Sequence, residues 1–307
     1  MNDKSARKIL YRDIRRDRWL YIFLLLPLAY YLIFRYGPMY GAHIAFKDFR
    51  IGLGFLGSRW VGFAHFQRLF RSVDFFVILR NTLLLNVYAL VFGFPVPIIF
   101  AILLNEVRML TFKRVVQSIL YLPYFISWVV LAGIFVQMLS PSTGVVNIIL
   151  GSMGITPVFF MASTFWWPIM FVISGIWNGA GWGSIIYLAA ISNIDPELYE
   201  AARIDGAGKF SQIRYITIPC IKGTIAIMLI LRMGNMMDIG FEHIYNMQNP
   251  AVLSVADVIS TFVFRMGIQG AQFSYTTAVG LFQSLISLIL VISANYIIRA
   301  MGENSLW

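Results

Sequence analysis

The chain of 307 residues is 59% hydrophobic and only 12% charged, with a mean hydropathy of +0.75. Soluble domains carry about 25% charged residues, so this composition excludes a water-facing globule and predicts an integral membrane protein. The net charge of +10 does not indicate nucleic-acid binding, because the basic residues lie at the ends of apolar runs and form no basic face interleaved with aromatic residues. The single cysteine, Cys220, excludes an intrachain disulfide.

Six apolar segments are each long enough to cross the hydrocarbon core of a bilayer as a helix. The first follows a basic stretch, but it is too long and too aromatic for a cleaved signal peptide, so it is interpreted as a retained span. A backbone in hydrocarbon must satisfy its own N–H and C=O groups, and the segments show no alternation of period two. The sequence therefore predicts an all-α polytopic transmembrane helical bundle with spans at 19–41, 76–104, 114–139, 165–191, 221–246 and 275–299.

The distribution of lysine and arginine predicts the orientation, because these residues are enriched in cytoplasmic loops. The segment 1–18 carries a dense run of them, whereas the predicted second outer loop, 140–164, has none. We therefore expect a cytoplasmic N-terminal segment at 1–18, a transmembrane domain at 19–299 and a cytoplasmic C-terminal tail at 300–307. Two arginines fall inside predicted spans: Arg80, near a helix end, is expected to snorkel toward the interface, whereas Arg232 lies deeper.

The inner loop 192–220 begins with a clear helix-start pattern. Asp195 is a favourable N-cap and Pro196 suits the first helical position. Gly206 suits the position at which a helix ends in the left-handed conformation. These residues predict a short helix from 196 to about 204.

A second short helix is expected from about 207 to 214, before Pro219 opens the next span. An amphipathic helix pair at the inner face is typical of a docking element. The local pattern alone is more often an ordinary solvated connection, so the interpretation depends on the wider residue pattern. The polar residues that the pair would present are Glu200, Arg203 and Asp205.

The same loop resembles the EAA loop of permease subunits in bacterial ABC importers. The resemblance rests on Glu200-Ala201-Ala202, on Gly206, and on Ile216-x-Ile218-Pro219, with Ile218 at a position where leucine is usual. The run Asp205-Gly206-Ala207 has the form found in sugar permeases. Further runs resemble the branch for polysaccharide-derived oligosaccharides, of the alginate, uronate and multiple-sugar type: Trp60-Val61-Gly62 with Phe66, and Phe273-Ser274-Tyr275-Thr276-Thr277-Ala278.

The resemblance implies the type I ABC importer permease fold and transport of oligosaccharide across the bacterial cytoplasmic membrane. The implied partners are a second, similar but different permease, two ATPase subunits and an extracytoplasmic solute-binding protein. In that family the EAA helix lies in a cleft of the ATPase, so closure of the ATPase dimer moves the transmembrane helices. The residues implied to couple to the ATPase are Glu200, Ala201, Ala202, Asp205, Gly206 and Ala207.

No catalytic machinery is predicted in this chain. It has no G-x-x-x-x-G-K-[ST] motif, so ATP and Mg²⁺ are expected on a partner. The three histidines, His43, His65 and His243, have no metal-ligand spacing, and Ser184 and His243 fall in different spans with nothing to pair them. A G-x-G-x-x-G match at 52–57 lacks the surrounding βαβ unit of a dinucleotide site.

The fourth span contains an aromatic and glycine-rich run from Trp177 to Gly183. Glycines there permit close helix packing, whereas tryptophans beside an amide also suit stacking on sugar rings and hydrogen bonding to hydroxyls. Aligned outward from the EAA motif, the run resembles the stretch that contacts sugar in related permeases. The candidate substrate-pathway residues are Trp177, Asn178, Gly179 and Trp182.

The fifth span contains four polar residues at spacings of three, three and four, which predicts one helical face. That face would line a polar pathway or form hydrogen bonds to the partner permease. Arg232 suits a carboxylate, which leads to the hypothesis of an acidic, uronate-containing oligosaccharide. The four candidates are Arg232, Asn235, Asp238 and Glu242.

Two rival interpretations remain at this stage. A self-contained secondary transporter would need its own coupling-ion site, often with internal repeats, and no obvious repeat is present. A pure assembly or receptor subunit would have no pathway, which the polar residues of the fifth span disfavour.

Overall fold

A computed structural model describes residues 16–300, which are predominantly helical. The predicted terminal segments 1–18 and 300–307 lie almost entirely outside this range. A two-stranded antiparallel sheet pairs β1 (Lys47–Asp48) with β2 (Arg59–Trp60). Besides a short helical segment at 51–57, the helices are α1 (Arg18–Phe46), α2 (Ala64–Arg71), α3 (Val73–Glu106), α4 (Leu110–Phe125), α5 (Trp128–Met138), α6 (Val145–Ser152), α7 (Trp166–Ser192), α8 (Pro196–Ile204), α9 (Lys209–Gly234), α10 (Phe241–Met247), α11 (Pro250–Ala256), α12 (Ile259–Gln269) and α13 (Phe273–Ala300).

Five of these helices are long and apolar enough to cross a membrane on their own: α1, α3, α7, α9 and α13. The third predicted span, 114–139, is instead a bent pair, because α4 and α5 meet at 102°. With that pair counted as one span, the chain has the six predicted crossings, and the all-α transmembrane bundle is confirmed. A second bent pair, α11 and α12 at 119°, occupies a region that the sequence assigned to an outer loop.

Three of the long helices contain a turn of π-helix, and in each case a proline follows two residues after that turn. The turns are Leu32–Tyr36 before Pro38, Ala89–Gly93 before Pro95 and Ile213–Thr217 before Pro219. Proline lacks a backbone N–H and its ring crowds the preceding turn, which normally kinks or ends a helix. A wider π-helical turn changes the hydrogen-bond pairing locally, so these helices continue through their prolines.

The core is organised around α7, which packs against α3, α4, α9, α10 and α11. Its Trp167 is fully buried, and the indole N–H donates to the carbonyl oxygen of Met247 at 2.9 Å. In contrast, α1 has no buried residue between Arg18 and Met39 in the described part of the chain, and it contacts α13 through its last turns, Tyr40–Phe46. The side chains of residues 18–39 therefore face lipid or another subunit.

Polar side chains of α3 satisfy the backbone where α11 meets α12. The Asn81 amide donates to the carbonyl oxygens of Ser254 and Asp257, at 3.0 and 3.1 Å. Arg80 donates to the same Ser254 oxygen at 3.1 Å. The break is thus hydrogen-bonded by protein groups, as a non-helical backbone at membrane depth requires. Arg80 contacts this break, a partner that the sequence did not predict.

Candidate functional site

The coupling loop, residues 192–220, contains one well-capped helix, α8, with the predicted bounds. The Asp195 carboxylate accepts a hydrogen bond from the Glu197 N–H at 3.0 Å, which confirms the predicted N-cap. At the other end, Gly206 has φ +77° and donates to the Arg203 carbonyl oxygen, while Ala207 donates to the Ala202 carbonyl oxygen at 2.8 Å. These two bonds form a Schellman motif, which requires a residue with positive φ at Gly206.

The exposed surface of the coupling loop combines polar and apolar side chains. Glu200, Asp205 and Gly206 are exposed, as the docking interpretation requires. Ile204 and Phe210, which sequence analysis did not single out, are 87% and 75% exposed. Large apolar side chains at this level of exposure next to polar groups are typical of a surface that is covered by another protein.

Hydrogen bonds attach α8 to the helix that follows it. The Tyr199 hydroxyl lies 2.9 Å from Oγ1 of Thr217, and Gln212 donates to the Ala207 carbonyl oxygen at 2.9 Å. The prediction of a separate second helix at 207–214 is wrong, because α9 runs without interruption from Lys209 to Gly234. The π-helical turn before Pro219 carries the helix through the point at which the proline was expected to restart it.

A cavity of about 470 Å³, the membrane cavity, lies between α3, α7, α9 and α10. Three of the predicted pathway residues line it: Gly179, Arg232 and Asn235. The wall of the cavity also contains Gly93, which has no side chain, and the polar side chains of Tyr187 and His243. The cavity therefore brings together residues from two of the predicted candidate groups.

The expectation that four polar residues share one face of a helix is wrong. The helix α9 ends at Gly234, and the chain is non-helical until α10 begins after Gly240, which has φ +80°. Arg232 and Asn235 still reach the membrane cavity. Asp238 and Glu242 are exposed and lie outside its lining, so their predicted role has no geometric support from a shared helical face.

The aromatic run of α7 contacts the bent third span. The Asn178 amide donates to the Pro123 carbonyl oxygen at 2.8 Å, and the Trp182 ring stacks on Tyr124 with ring centroids 4.8 Å apart. Trp177 packs edge-on against Phe135. Trp177, Asn178 and Trp182 do not appear in the lining of the membrane cavity, and in this conformation they support the break between α4 and α5.

The glycines of the same run have two different roles. A Cβ at Gly181 would clash with the backbone carbonyl of Leu120, so this glycine allows α7 and α4 to pack closely. A Cβ at Gly179 would meet no atom within 4 Å, because that glycine faces the membrane cavity. Both interpretations offered by the sequence therefore apply, but to different glycines.

The structure pairs His243 with a serine that sequence analysis did not consider. Its Nε2 lies 2.8 Å from the Ser174 hydroxyl, and the imidazole lies between the rings of Trp128 and Phe171. No group of three or more His, Cys, Asp or Glu side chains within residues 16–300 could hold a metal ion. Together with Arg232 and Asn235, His243 gives the wall of the membrane cavity polar groups that can form hydrogen bonds.

Residues 93–303 match the family described as binding-protein-dependent transport system inner membrane component. The chain belongs to this family. It is therefore an integral membrane component of a transport system, and the predicted resemblance to importer permeases is confirmed at the level of the family. The match includes the coupling loop and every residue that lines the membrane cavity from Gly93 onward.

Two curated relatives from Bacillus subtilis (strain 168) align with almost the whole chain. Protein LplB is 45% identical over 96% of this chain and 92% of its own length. The polygalacturonan/rhamnogalacturonan transport system permease protein YteP is 42% identical over 99% of this chain and 95% of its own length.

Two solved structures have the same fold. A chain of a bacterial alginate ABC transporter, in complex with an alginate pentasaccharide-bound periplasmic protein, matches with a TM-score of 0.89 at 43% identity, over 97% of this chain and 99% of that chain. A chain of a bacterial ABC transporter involved in the import of the acidic polysaccharide alginate matches with a TM-score of 0.89 at 44% identity, over 96% of this chain and 99% of that chain.

Proposed function

We propose that this chain is the permease subunit of an ABC importer that takes up oligosaccharides, with acidic, uronate-containing oligosaccharides as its substrate class. The observation that carries the proposal is Arg232 in the wall of the membrane cavity, in a chain that is 43% identical over almost its full length to a subunit of an alginate transporter. A relative named for polygalacturonan and rhamnogalacturonan transport supports the same class of acidic sugar.

The charges of the membrane cavity suit a carboxylate. Its described lining contains Arg232 but no aspartate or glutamate. The Arg232 side chain makes no hydrogen bond or ion pair with any of residues 16–300, so its guanidinium group is available to a ligand. A guanidinium group binds a carboxylate through two parallel hydrogen bonds, and this pairing is stronger when it is shielded from water. Asn235, exposed beside it, adds an amide that can bond a sugar hydroxyl.

The coupling loop is proposed to dock on an ATPase subunit, which binds ATP and Mg²⁺. Glu200, Ala201, Ala202, Asp205, Gly206 and Ala207 form the proposed contact. The exposed side chains of Ile204 and Phe210 beside them support the proposal, because a partner would remove their apolar surface from water. The loop is proposed to face the cytoplasm, together with both chain termini.

The proposed assembly further contains a second, different permease and an extracytoplasmic solute-binding protein. The exposed part of α1, residues 18–39, supports a partner subunit, because it buries no side chain within its own chain. Five predicted pathway residues do not line the membrane cavity, and they are proposed to reach the pathway in another conformation of the helix bundle. They are Trp177, Asn178, Trp182, Asp238 and Glu242.

Reconstitution of this chain with its neighbouring permease, ATPase and binding protein in liposomes tests the proposal. We expect ATP-dependent uptake of oligogalacturonate or alginate oligosaccharide to exceed that of a neutral oligosaccharide of equal length. The variant Arg232→Ala is expected to lose that preference. Equal uptake of acidic and neutral sugars by both proteins would contradict the acidic class, and uptake without any ATPase would favour a secondary transporter.

The variant Glu200→Lys tests the docking role separately. It reverses an exposed charge on α8 that makes no ion pair within the described residues, so the fold of the permease is expected to survive. We expect the variant either to hydrolyse ATP without a matching uptake of sugar when the binding protein is added, or to lose the ATPase during purification. Unchanged uptake would remove the proposed role of the loop.

A further inference from the structure

His243 is a wall residue of the membrane cavity, and its ring is held in place on several sides. The imidazole is stacked between Trp128 and Phe171, with ring centroids 3.6 and 4.1 Å away and interplanar angles of 15° and 19°. Only 6% of the residue is exposed. A Cβ at Gly175 would lie 3.4 Å from Cε1 of His243, so α7 passes close to the edge of the ring. The ring therefore has a fixed orientation.

The break between α9 and α10 brings His243 into the cavity. The chain leaves the helix at Gly234 and starts a new one after Gly240, so Arg232, Asn235 and His243 line one cavity without sharing a helical face. In an unbroken helix, His243 would lie eleven residues and therefore about 16 Å along the axis from Arg232. Because the helix is broken, the two side chains can line the same cavity.

The hydrogen bonds of Ser174 favour one position for the proton of His243. The Ser174 hydroxyl lies 2.9 Å from the Phe171 carbonyl oxygen and 3.4 Å from Sδ of Met247, and both atoms can only accept. With the hydroxyl proton donated to either of them, Nε2 of His243, which lies 2.8 Å from the same hydroxyl oxygen, donates its N–H. Burial between two aromatic rings favours the neutral imidazole, in which the second nitrogen, Nδ1, is an acceptor.

Nδ1 has no partner within residues 16–300, although the residue lines the cavity. Nδ1 is unpaired without being fully enclosed by protein, and the membrane cavity is the open space that His243 lines. We propose that His243 is a specificity-determining residue, whose Nδ1 accepts a hydrogen bond from a sugar hydroxyl while Arg232 binds a carboxylate of the same substrate. This inference rests on the proposed function, since it assigns a second contact to the same cavity.

Two isosteric variants separate this role from a purely structural one. In His243→Asn the side-chain oxygen can occupy the position of Nδ1 and still accept, but nothing reaches Ser174. In His243→Gln the side-chain amide can reach Ser174 from the position of Nε2, but no acceptor remains at Nδ1. If His243 only fastened α10 to α7, Gln would preserve function and Asn would not; our proposal predicts the reverse.

The experiment measures uptake of oligogalacturonate by liposomes that contain the complete transporter. We expect His243→Gln to lower the uptake rate about tenfold, as for a lost hydrogen bond to a buried group, and His243→Asn to stay within about threefold of the wild type. His43→Phe is the control, because His43 packs at a tilt against Tyr40 and Phe55 and does not line the membrane cavity, and it is expected to leave uptake unchanged. Uptake by the wild type tests the proposed function itself. Two results would overturn only the role of His243. One is a wild-type uptake rate in His243→Gln, and the other is an uptake rate in His243→Asn that is no higher than in His243→Gln.

A spectroscopic measurement covers the case in which both variants fail to assemble. The chain has three histidines, so ¹⁵N-histidine labelling of this subunit gives three sets of imidazole signals. We expect one ring to show an unprotonated Nδ1 whose resonance shifts when oligogalacturonate is delivered to the transporter. No shift in any imidazole nitrogen under conditions that support uptake would refute the contact.

Discussion

Lys209 Nζ lies 2.6 Å from Glu106 Oε2, which joins the start of α9 to the end of α3 beside the coupling loop. The two helices both line the membrane cavity at a distance from this pair, through Gly93 on α3 and Arg232 on α9. The ion pair is half exposed, so it contributes at most about 1 kcal/mol to stability. Its position indicates that it aligns the two helices with the coupling loop.

Charge reversal tests this alignment. We expect Lys209→Glu and Glu106→Lys each to lower sugar uptake per ATP hydrolysed, because the two side chains then repel, while the amount of assembled complex changes little. The double reversal restores an opposite-charge pair and is expected to recover coupling. Lys113→Glu makes the same charge reversal on α4, which does not take part in this ion pair, and is the matched control. A double variant no better coupled than either single variant would contradict the prediction.

A second prediction concerns two glycines of the coupling loop that differ only in backbone conformation. Neither Gly206 nor Gly208 has an atom within 4 Å of an added Cβ, but Gly206 has φ +77° and Gly208 has φ −68°. Gly206→Ala is therefore expected to strain the end of α8 by about 1–2 kcal/mol and to reduce uptake, whereas Gly208→Ala is tolerated. Parallel uptake and ATPase assays check the difference. Equal losses would show that contact with the docked partner, and not φ, limits both positions.

The third prediction concerns the glycines at 179 and 181 on α7. Gly181→Ala would press on the Leu120 backbone, which costs about 1–3 kcal/mol and is expected to lower the melting temperature of the permease pair. Gly179→Ala projects into the membrane cavity, so we expect an unchanged melting temperature but reduced uptake. Thermal unfolding by fluorescence, measured beside uptake, separates the two. A loss of stability at Gly179→Ala would place that glycine in the packing between helices.

The fourth prediction uses the exposed apolar side chains of the coupling loop. Ile204 is 87% exposed in this chain, so Ile204→Ser removes no internal packing and is expected to leave the melting temperature of the permease pair unchanged. If docking buries this side chain, the substitution weakens association with the ATPase by about 1.5–3 kcal/mol, which is roughly tenfold or more in affinity. Association of detergent-solubilised permease pair with ATPase gives the measurement. Unaltered affinity would exclude Ile204 from the contact.

The elements that the sequence predicted well are those whose signals are local. The cap at Asp195 and the positive φ at Gly206 each depend on a few adjacent residues, and both are found in the structure. The long spans depend on summed hydrophobicity, which is also local. The predicted spans 19–41, 76–104, 165–191 and 275–299 match the observed helices to within five residues at each end. The fifth predicted span, 221–246, is wrong in its bounds, because α9 begins 12 residues earlier and also ends 12 residues earlier.

The features that the sequence did not predict include a contact between residues far apart in sequence and the end of a helix. Ser174 and His243 are separated by 69 residues, and nothing in either segment indicates that they pair. Hydrophobicity likewise did not show that α9 stops at Gly234, although a polar residue at Asp238 between two glycines was a signal that could have been used. Asp238 lies in a non-helical segment between two helices, and it does not lie on a polar face of one continuous helix.

The uninterrupted α9 has a mechanical consequence. Arg232 lies 23 residues beyond Lys209, which corresponds to about 35 Å along the helix axis. A rigid rod of that length that tilts by roughly 10° about its inner end displaces its outer end sideways by about 6 Å. A small rotation imposed at the membrane surface thus becomes, at the guanidinium group, a displacement comparable to the width of one sugar ring.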